Sequence, residues 1–355
     1  MDDKPGKGSR RRGKKQSFAT IYDIAKQTGV SKSTVSRVVN GDEYVRPETR
    51  ALVRKAIKAL RFIPNRAARS LVNQTEARIG LVYFNPSVAY FTELLMGALE
   101  GSSRNSAHLV VDKCEIGNMV AAYEAVRSLV KAGLNGILLG APLSEQGDLI
   151  KELTAEGISI AGVATGRFRT DVNCVEIDNY KAAYEMTNYL IGLGHKRIGF
   201  VKGHPGFPSS KKRISGFKAA MRDAGSNVAK PLLVQGYNNY LSGLEAGAQI
   251  LSSKSNVTAI FANNDDMASA VMSMAHRKGL NVPQDLSVVG FDDTIAGTVW
   301  PELTTIRQHI SKIASTAVDV IMQDIRLRRS GAKPKPRNHL IEYALIVRES
   351  AAPPP

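Results

Sequence analysis

Lys32, Ser33, Ser36 and Arg37 fall within one short helical stretch and make a small polar surface with two cations. Such a surface suits the major groove of DNA. An arginine can bridge two acceptors on guanine, and short hydroxyls reach base edges or phosphates. The same spacing also fits a solvated face on an ordinary helical pair, and spacing alone does not choose between them. The elements that would position these residues are legible around them. In TIYDIAKQTGVSKSTVSRVVN (20–40), Thr20 and Asp23 make a capping-box start, and Ile21, Ile24 and Ala25 recur on one face. Gly29 marks a turn. Ser31 can cap the second helix, whose inward stripe is Val35 and Val38. Two short helices around a tight turn form a helix-turn-helix, whose second helix reads base edges with its first turns.

Charge is distributed to match. Residues 1–72 carry 18 lysines and arginines against 6 acids, so +12 of the formal +16 lies there. The other 283 residues carry 30 against 26. A basic head on a near-neutral body implies a polyanion partner for the head alone. Residues 1–17 are Lys, Arg, Gly and Ser with little that is apolar, and are expected to form a disordered basic arm. Cys114 and Cys174 lie in or beside apolar strand-like runs, with no second ligand at metal spacing. Both are expected to be buried free thiols in a reducing compartment. No membrane span or secretory signal is legible. A cytoplasmic location is expected.

A third helix is predicted from about Pro47 to Leu60, with Leu52, Val53, Ala56, Ile57 and Leu60 as its apolar stripe. It closes a three-helix headpiece over 18–62. The linker RFIPNRAARSLVNQT follows, and Pro64 stops the preceding helix. Asn65 to Leu71 has length for two helical turns, too short to persist without a partner. Arg66 and Arg69 can reach phosphates, and Leu71 is an apolar residue in a basic linker, as a minor-groove wedge requires. A plain interdomain linker is the alternative.

IYDIAKQTGVSKSTVSRVVN, PETR and FIPNRAARSL together resemble the headpiece and hinge helix of the LacI/GalR family of bacterial transcriptional repressors. The resemblance implies a homodimer on a palindromic operator, with paired hinge helices in the central minor groove. It places Lys32, Ser33 and Arg37 at base-reading positions, and Thr20, Tyr22, Ser31, Thr34, Asn40 and Tyr44 at phosphate-contacting ones. Asn65, Arg66, Ala68, Arg69 and Leu71 match the hinge, with Leu71 at the wedge. Arg46 departs from the family, which usually has a Ser or Thr cap before Pro47. A phosphate contact is expected of Arg46 instead.

From Arg78 onward strands and helices alternate. Strand-like runs are IGLVYF (79–84), HLVVDK (108–113), NGILLG (135–140), ISIAGVA (158–164), CVEID (174–178), RIGFVKG (197–203), PLLVQG (231–236), VTAIFA (257–262) and LSVVGFDD (286–293). Short β-branched runs without alternation imply parallel sheets buried on both faces. Nine strands are too many for one sheet of usual size, which points to two lobes with ligands beyond the carboxyl ends of the strands. The fold class is thus an all-α headpiece followed by an α/β two-lobed domain with parallel sheets.

YLIGLGHKRIGFVKG, ANNDDMASAV, PQDLSVVGFDD and PELTTIRQ resemble the same family's effector domain, itself similar to periplasmic sugar-binding proteins. That implies a hinge over 63–77 and an effector and dimerisation domain over 78–350. One lobe is placed at about 78–176 with 304–332. The other takes 177–303 with a final strand, HLIEYALIV, in 338–350; residues 351–355 form a tail. The resemblance points to Asn85, Tyr90, Phe91, Arg213, Asn238, Asn264 and Asp292 as the effector site. That set offers donors, acceptors and an aromatic face, as a sugar needs. Ala164 stands where many sugar-binding relatives have an acid, and Asn238, beside Tyr237 and Tyr240, where some have a stacking aromatic. These departures leave a phosphorylated sugar or a purine open.

The expected function is a repressor of carbohydrate genes released by a small sugar. A corepressor-dependent regulator is the alternative, or, in another class, a solute-binding protein. No GxxxxGK, HExxH or GxSxG motif is present, and the six histidines are scattered, so neither an enzyme nor a cofactor or metal is expected.

Overall fold

The computed structural model describes residues 20–39, 45–60, 77–83, 85–113, 118–163, 170–226, 232–252 and 256–355. The chain divides into two compact units, Met1–Glu76 and Ala77–Pro355.

In the first unit three helices enclose a small core. α1 (Ile21–Thr28) opens with the capping box: Asp23 N–H donates to Thr20 Oγ1 and Asp23 Oδ2 accepts from Thr20 N–H at 2.7 Å. Gly29, at φ 72°, ends it in the left-handed conformation that a Cβ would strain. α2 (Lys32–Val39) starts at Ser31, whose Oγ accepts from Thr34 N–H at 3.1 Å. α3 (Pro47–Ala59) has Pro47 in its first turn. Ile24, Val35, Val38, Val45, Val53 and Ala56 form the core, with Ile57 and Leu60 packed against it. Leu52 leaves the predicted stripe and is 49% exposed. It lies about 100° around the helix from Val53, which puts it outside the face shared by Val53, Ala56, Ile57 and Leu60.

The second unit holds two parallel sheets. β1 (Arg78–Tyr83), α4 (Val88–Arg104), β2 (His108–Lys113), α5 (Met119–Lys131), β3 (Gly136–Gly140), α6 (Gly147–Ala155), β4 (Ser159–Val163) and β5 (Asn173–Glu176) build the first. α7 (Asn179–Gly192), β6 (Ile198–Lys202), α8 (Pro208–Asp223), β7 (Leu233–Gln235), α9 (Tyr240–Ser252), β8 (Ala259–Ala262), α10 (Asp265–Arg277) and β9 (Ser287–Val289) build the second, in strand order β7-β6-β8-β9. The chain then passes through β10 (Thr305–Arg307), α11 (Ile310–Arg329), β11 (Asn338–Leu340) and β12 (Ala344–Ile346). The first sheet runs β11-β5-β4-β3-β1-β2.

All nine strand-like runs hold a strand. Burial on both faces explains the unbroken apolar character of the central strands: Ile137 and Leu139 of β3 face one cluster, Leu138 the other. One core continues from Leu81 and Leu138 to Phe200, Phe217 and Phe261 of the second sheet. α11 crosses back to lie on α4, where Gly97 makes the approach possible: a Cβ there would stand 2.1 Å from the Ser311 carbonyl oxygen. Cys174 is buried, with its Sγ 3.9 Å from the Val172 carbonyl; Cys114 lies outside the described residues.

Two segments differ from expectation. LSVVGFDD is strand only over Ser287–Val289. Beyond it, Gly290 and Asp292 donate their N–H groups to Thr304 and Ile306 carbonyls, and φ turns positive at Asp292 (115°) and Asp293 (58°). HLIEYALIV is not one final strand of the second lobe. β11 extends the first sheet in parallel with β5, and β12 pairs antiparallel with β10. The segment passes between the two sheets and takes ladder partners on both sides. The tail is fastened as well. Ser350 is fully buried against Val288, and His195 Nε2 donates to the Ala352 carbonyl at 2.8 Å while its Nδ1 accepts from Thr258 Oγ1. Burial lowers the His195 pKa, which keeps that ring neutral.

Candidate functional site

Lys32, Ser33 and Arg37 are exposed on α2, opposite the buried Val35 and Val38. Ser31 Oγ lies 2.8 Å from both Ser33 Oγ and Thr34 Oγ1, so three hydroxyls line the start of the helix. Tyr22 of α1 is 58% exposed, and Lys32 Nζ sits 4.8 Å from its ring centroid. That cation–π contact joins the two helices beside the basic face. Thr20 is committed to the capping box. Asn40, Tyr44, Asn65, Arg66, Ala68, Arg69 and Leu71 lie outside the described residues.

Arg46 is exposed at the start of α3 and makes no side-chain cap. Replacing it with Ser supplies a cap typically worth ~1 kcal/mol and removes a cation. Arg46→Ser should flatten the plot of log affinity against log salt by about one unit per monomer. Anisotropy titrations at several salt concentrations read this directly, and an unchanged slope removes Arg46 from the phosphate-contacting set.

The second site is a cleft at the carboxyl ends of strands from both sheets, where open α/β sheets take their ligands. Asn85 follows β1, Ala141 follows β3, and Val163 ends β4. Opposite them stand Phe207, Arg213, Asn238, Asn263, Asn264 and Asp292. The loop after β1 is set by Asn85, whose Oδ1 accepts from Ser87 N–H at 2.9 Å. Ser87 in turn caps α4 by accepting from Tyr90 N–H, which brings the buried Tyr90 to the wall. Burial pushes the Tyr90 phenol well up, so it enters any ligand contact as a neutral hydroxyl. Phe91, one residue on, packs on the hydrophobic core and does not line the cleft.

Arg213 and Asp292 form the polar floor. Arg213 Nε donates to Asn179 Oδ1 at 2.9 Å, and Nη1 donates to the Asn263 carbonyl at 2.6 Å and to Asp292 Oδ1 at 3.5 Å. Its guanidinium carbon lies 3.6 Å from the centroid of the Phe291 ring. Gln308 Nε2 also donates to Asp292 Oδ1. Asn264 caps α10 and donates to the Asn238 carbonyl at 3.2 Å. Asn238 sits at φ 59°, a conformation asparagine tolerates better than most residues. Ser87, which belongs with the first sheet, donates to Asp266 Oδ2 at 2.5 Å on α10 and ties the two sides of the cleft together.

Asn179, Asn263, Asp266, Gln308 and Ser87 were not singled out in the sequence. Asn263 adjoins Asn264 and could have been flagged by that alone. Ser87 is legible locally as the cap of α4; Asn179, Asp266 and Gln308 enter the site through partners elsewhere in the chain.

Burial raises Asp292 to about 7, against the opposing pull of Arg213 and Gln308. Its unfolded value is about 4. The folded state therefore holds a proton that the unfolded state releases. Stability from this group is complete below about pH 4 and is lost as pH rises through about 7. Burial also raises Asp265 and Asp266, which act in the same direction. The melting temperature of the ligand-free protein should fall between pH 5.5 and 8. Asp292→Asn should fall less steeply over that range, and equal slopes would contradict the assignment.

Comparison with known proteins places both units. The family model for bacterial regulatory proteins of the lacI family matches residues 20–65, and that for the periplasmic binding protein-like domain matches 187–351. Catabolite control protein A of Priestia megaterium is 32% identical over 305 residues, covering 85% of this chain and 91% of that protein. The transcriptional repressor PurR of Pectobacterium carotovorum subsp. carotovorum (strain PC1) is 34% identical, covering 95% and 98%. Among solved structures, the Lac repressor dimer bound to operator and the anti-inducer ONPF superposes with a TM-score of 0.76 at 26% identity, covering 95% of this chain and all of that one. The transcriptional regulator CelR–cellobiose complex gives 0.70 at 27% identity, covering 94% and 99%. These relatives are transcriptional regulators, not enzymes. A helix-turn-helix headpiece joined to a two-sheet α/β domain, with relatives along nearly the whole length, makes this chain a member of the LacI family of DNA-binding bacterial transcriptional regulators.

Proposed function

We propose that the chain is a cytoplasmic repressor of carbohydrate uptake or catabolic genes, released from a palindromic operator by a small sugar. The observation that carries the ligand class is the buried Arg213–Asp292 pair ringed by Asn85, Asn238 and Asn264. The pair and the amides offer donors and acceptors together, which suits hydroxyls that must both give and receive. Tyr90 and Phe207 supply an apolar wall. The similarity to CelR, solved with cellobiose, supports the same class.

The two sheets are the cores of two lobes, about 78–176 with 304–332 and 177–303. The Ser87–Asp266 contact spans them. A ligand that alters lobe closure shifts the spacing of the two hinges, and a coupling of ~1–3 kcal/mol is enough for control. The working form is a homodimer. An apolar surface supports it: Trp300 is 84% exposed and lines one surface pocket with Val299 and Tyr240. Exposed apolar residues of this kind mark an interaction surface, and a second copy is the proposed occupant; the similar Lac repressor structure is a dimer. Lys32, Ser33 and Arg37 read bases. Thr20, Tyr22, Ser31, Thr34 and Arg46 hold the backbone.

The test is fluorescence anisotropy of the full chain on a palindromic duplex with a central CG step, at two salt concentrations, with and without mono- and disaccharides. Tight binding that depends on the palindrome and is released by one sugar is the expected result. Binding strengthened by a ligand makes the protein corepressor-dependent. Weak, steeply salt-dependent binding without palindrome preference overturns the specific-repressor reading.

A further inference from the structure

Asn263 follows β8 at the floor of the cleft and is 1% exposed. Nearly all of its hydrogen-bonding groups are committed. Its N–H donates to the Val201 carbonyl at 3.0 Å, and its carbonyl accepts from Arg213 Nη1. Its Nδ2 donates to Asn238 Oδ1 at 3.0 Å and to Ser210 Oγ at 3.3 Å. The amide is locked in place. A Cβ on Gly203 would stand 2.2 Å from Asn263 Nδ2, so only glycine leaves room for this cluster. Turned the other way, Asn263 would set its oxygen against Asn238 Oδ1. The one group left over is Asn263 Oδ1, buried without a partner among the described residues.

A buried acceptor without a partner is costly, and native proteins keep such groups chiefly where something else completes them. This one stands on a wall shared with Arg213, Asn264 and Asp292. We infer that Asn263 is a specificity-determining residue of the effector site, and that its Oδ1 accepts a hydrogen bond from a hydroxyl or N–H of the bound ligand. The inference rests on the reading of this cleft as the effector site. It assigns one acceptor beyond Asp292 and predicts what the pocket rejects. A ligand with hydrogen or fluorine at that position leaves Oδ1 unpaired or facing another acceptor. Sites built to bond a hydroxyl discriminate strongly against analogues that lack it.

The test screens the full-length protein by thermal shift against neutral mono- and disaccharides. Binders are followed by calorimetry with their monodeoxy and monofluoro derivatives, on wild type and Asn263→Ala. For one ring position, wild type should bind the deoxy and fluoro derivatives tenfold or more weaker than the parent. In Asn263→Ala the parent should weaken by a similar factor, and the deoxy derivative should then bind as well as the parent. Asn263→Ser keeps a hydroxyl toward Asn238 and serves if the alanine variant does not fold. A parent saccharide that binds both variants as tightly as wild type overturns the assignment alone. Equal weakening for every derivative does the same. A panel in which no saccharide binds overturns the sugar reading and this assignment with it.

Discussion

Asp292→Asn should lose its response to the effector while its affinity for operator DNA stays within about threefold of wild type, since a ±0.5 kcal/mol change is the ordinary background of a distant substitution. The carboxylate closes the cleft floor after β9, and among the described residues both of its hydrogen bonds fall on Oδ1. Oδ2 is thereby available to ligand hydroxyls. A hydrogen bond to a charged group contributes about 1.5–3 kcal/mol, so losing it should weaken the effector roughly tenfold or more. Folding should survive for two reasons. Asparagine tolerates a positive φ, and the residue is at 115° here. Burial already lifts Asp292 to about 7, so the native protein is partly in the protonated, neutral form that asparagine imitates. DNA binding lies in the other compact unit. Anisotropy on operator with increasing effector, paired with calorimetry of the effector alone, separates the two readouts. A variant that is released at wild-type effector concentrations would mean that Asp292 is not in the site.

What could be read from the sequence is what depends on neighbours. Thr20 and Asp23 are three residues apart, and their capping box follows from that spacing. β3, Gly136–Gly140, is legible for the same reason: an apolar stretch buried on both faces reads as an unbroken run. Leu52 shows where periodicity is too coarse: it is apolar and adjacent to the stripe, but one residue off its axis. Residues 338–346 look like one strand and are two, because β11 and β12 choose partners 164 and 39 residues away that no local pattern announces. The cleft divides in the same way. Asp292 and Asn264 stand at strand ends, which the pattern of runs locates. Asn263 acquires its meaning from Asn238 and Ser210, 25 and 53 residues away, whose bonds use up its amide nitrogen and leave its oxygen over. The resemblance points to Phe91 as well as Tyr90, but on a helix adjacent residues point about 100° apart, and here Tyr90 lines the cleft while Phe91 packs on the core.

Arg37→Ala should weaken specific operator binding by about 1–3 kcal/mol per half-site, roughly five- to 150-fold, and relax sequence preference at one base pair of each half-site. The headpiece should fold unchanged. Arg37 is exposed, the core residues Val35 and Val38 on the opposite face are untouched, and alanine is a better helix former than arginine. The size of the effect follows from geometry. A guanidinium can donate two parallel hydrogen bonds to guanine, whereas an ammonium on a flexible stem cannot reproduce that fork. Arg37→Lys should therefore recover most of the non-specific affinity and little of the specificity. That contrast separates base reading from phosphate contact. A phosphate contact is lost equally on every sequence and lowers the salt slope by about one; a base contact is lost on the operator and scarcely at all on random DNA. Competition titrations of wild type, Arg37→Ala and Arg37→Lys on the operator, on single-base operator variants and on random duplex decide the matter. If specific and non-specific binding fall by the same factor and lysine restores both, Arg37 belongs with the backbone contacts. The reading of sequence then has to come from Lys32 and Ser33 at the start of α2.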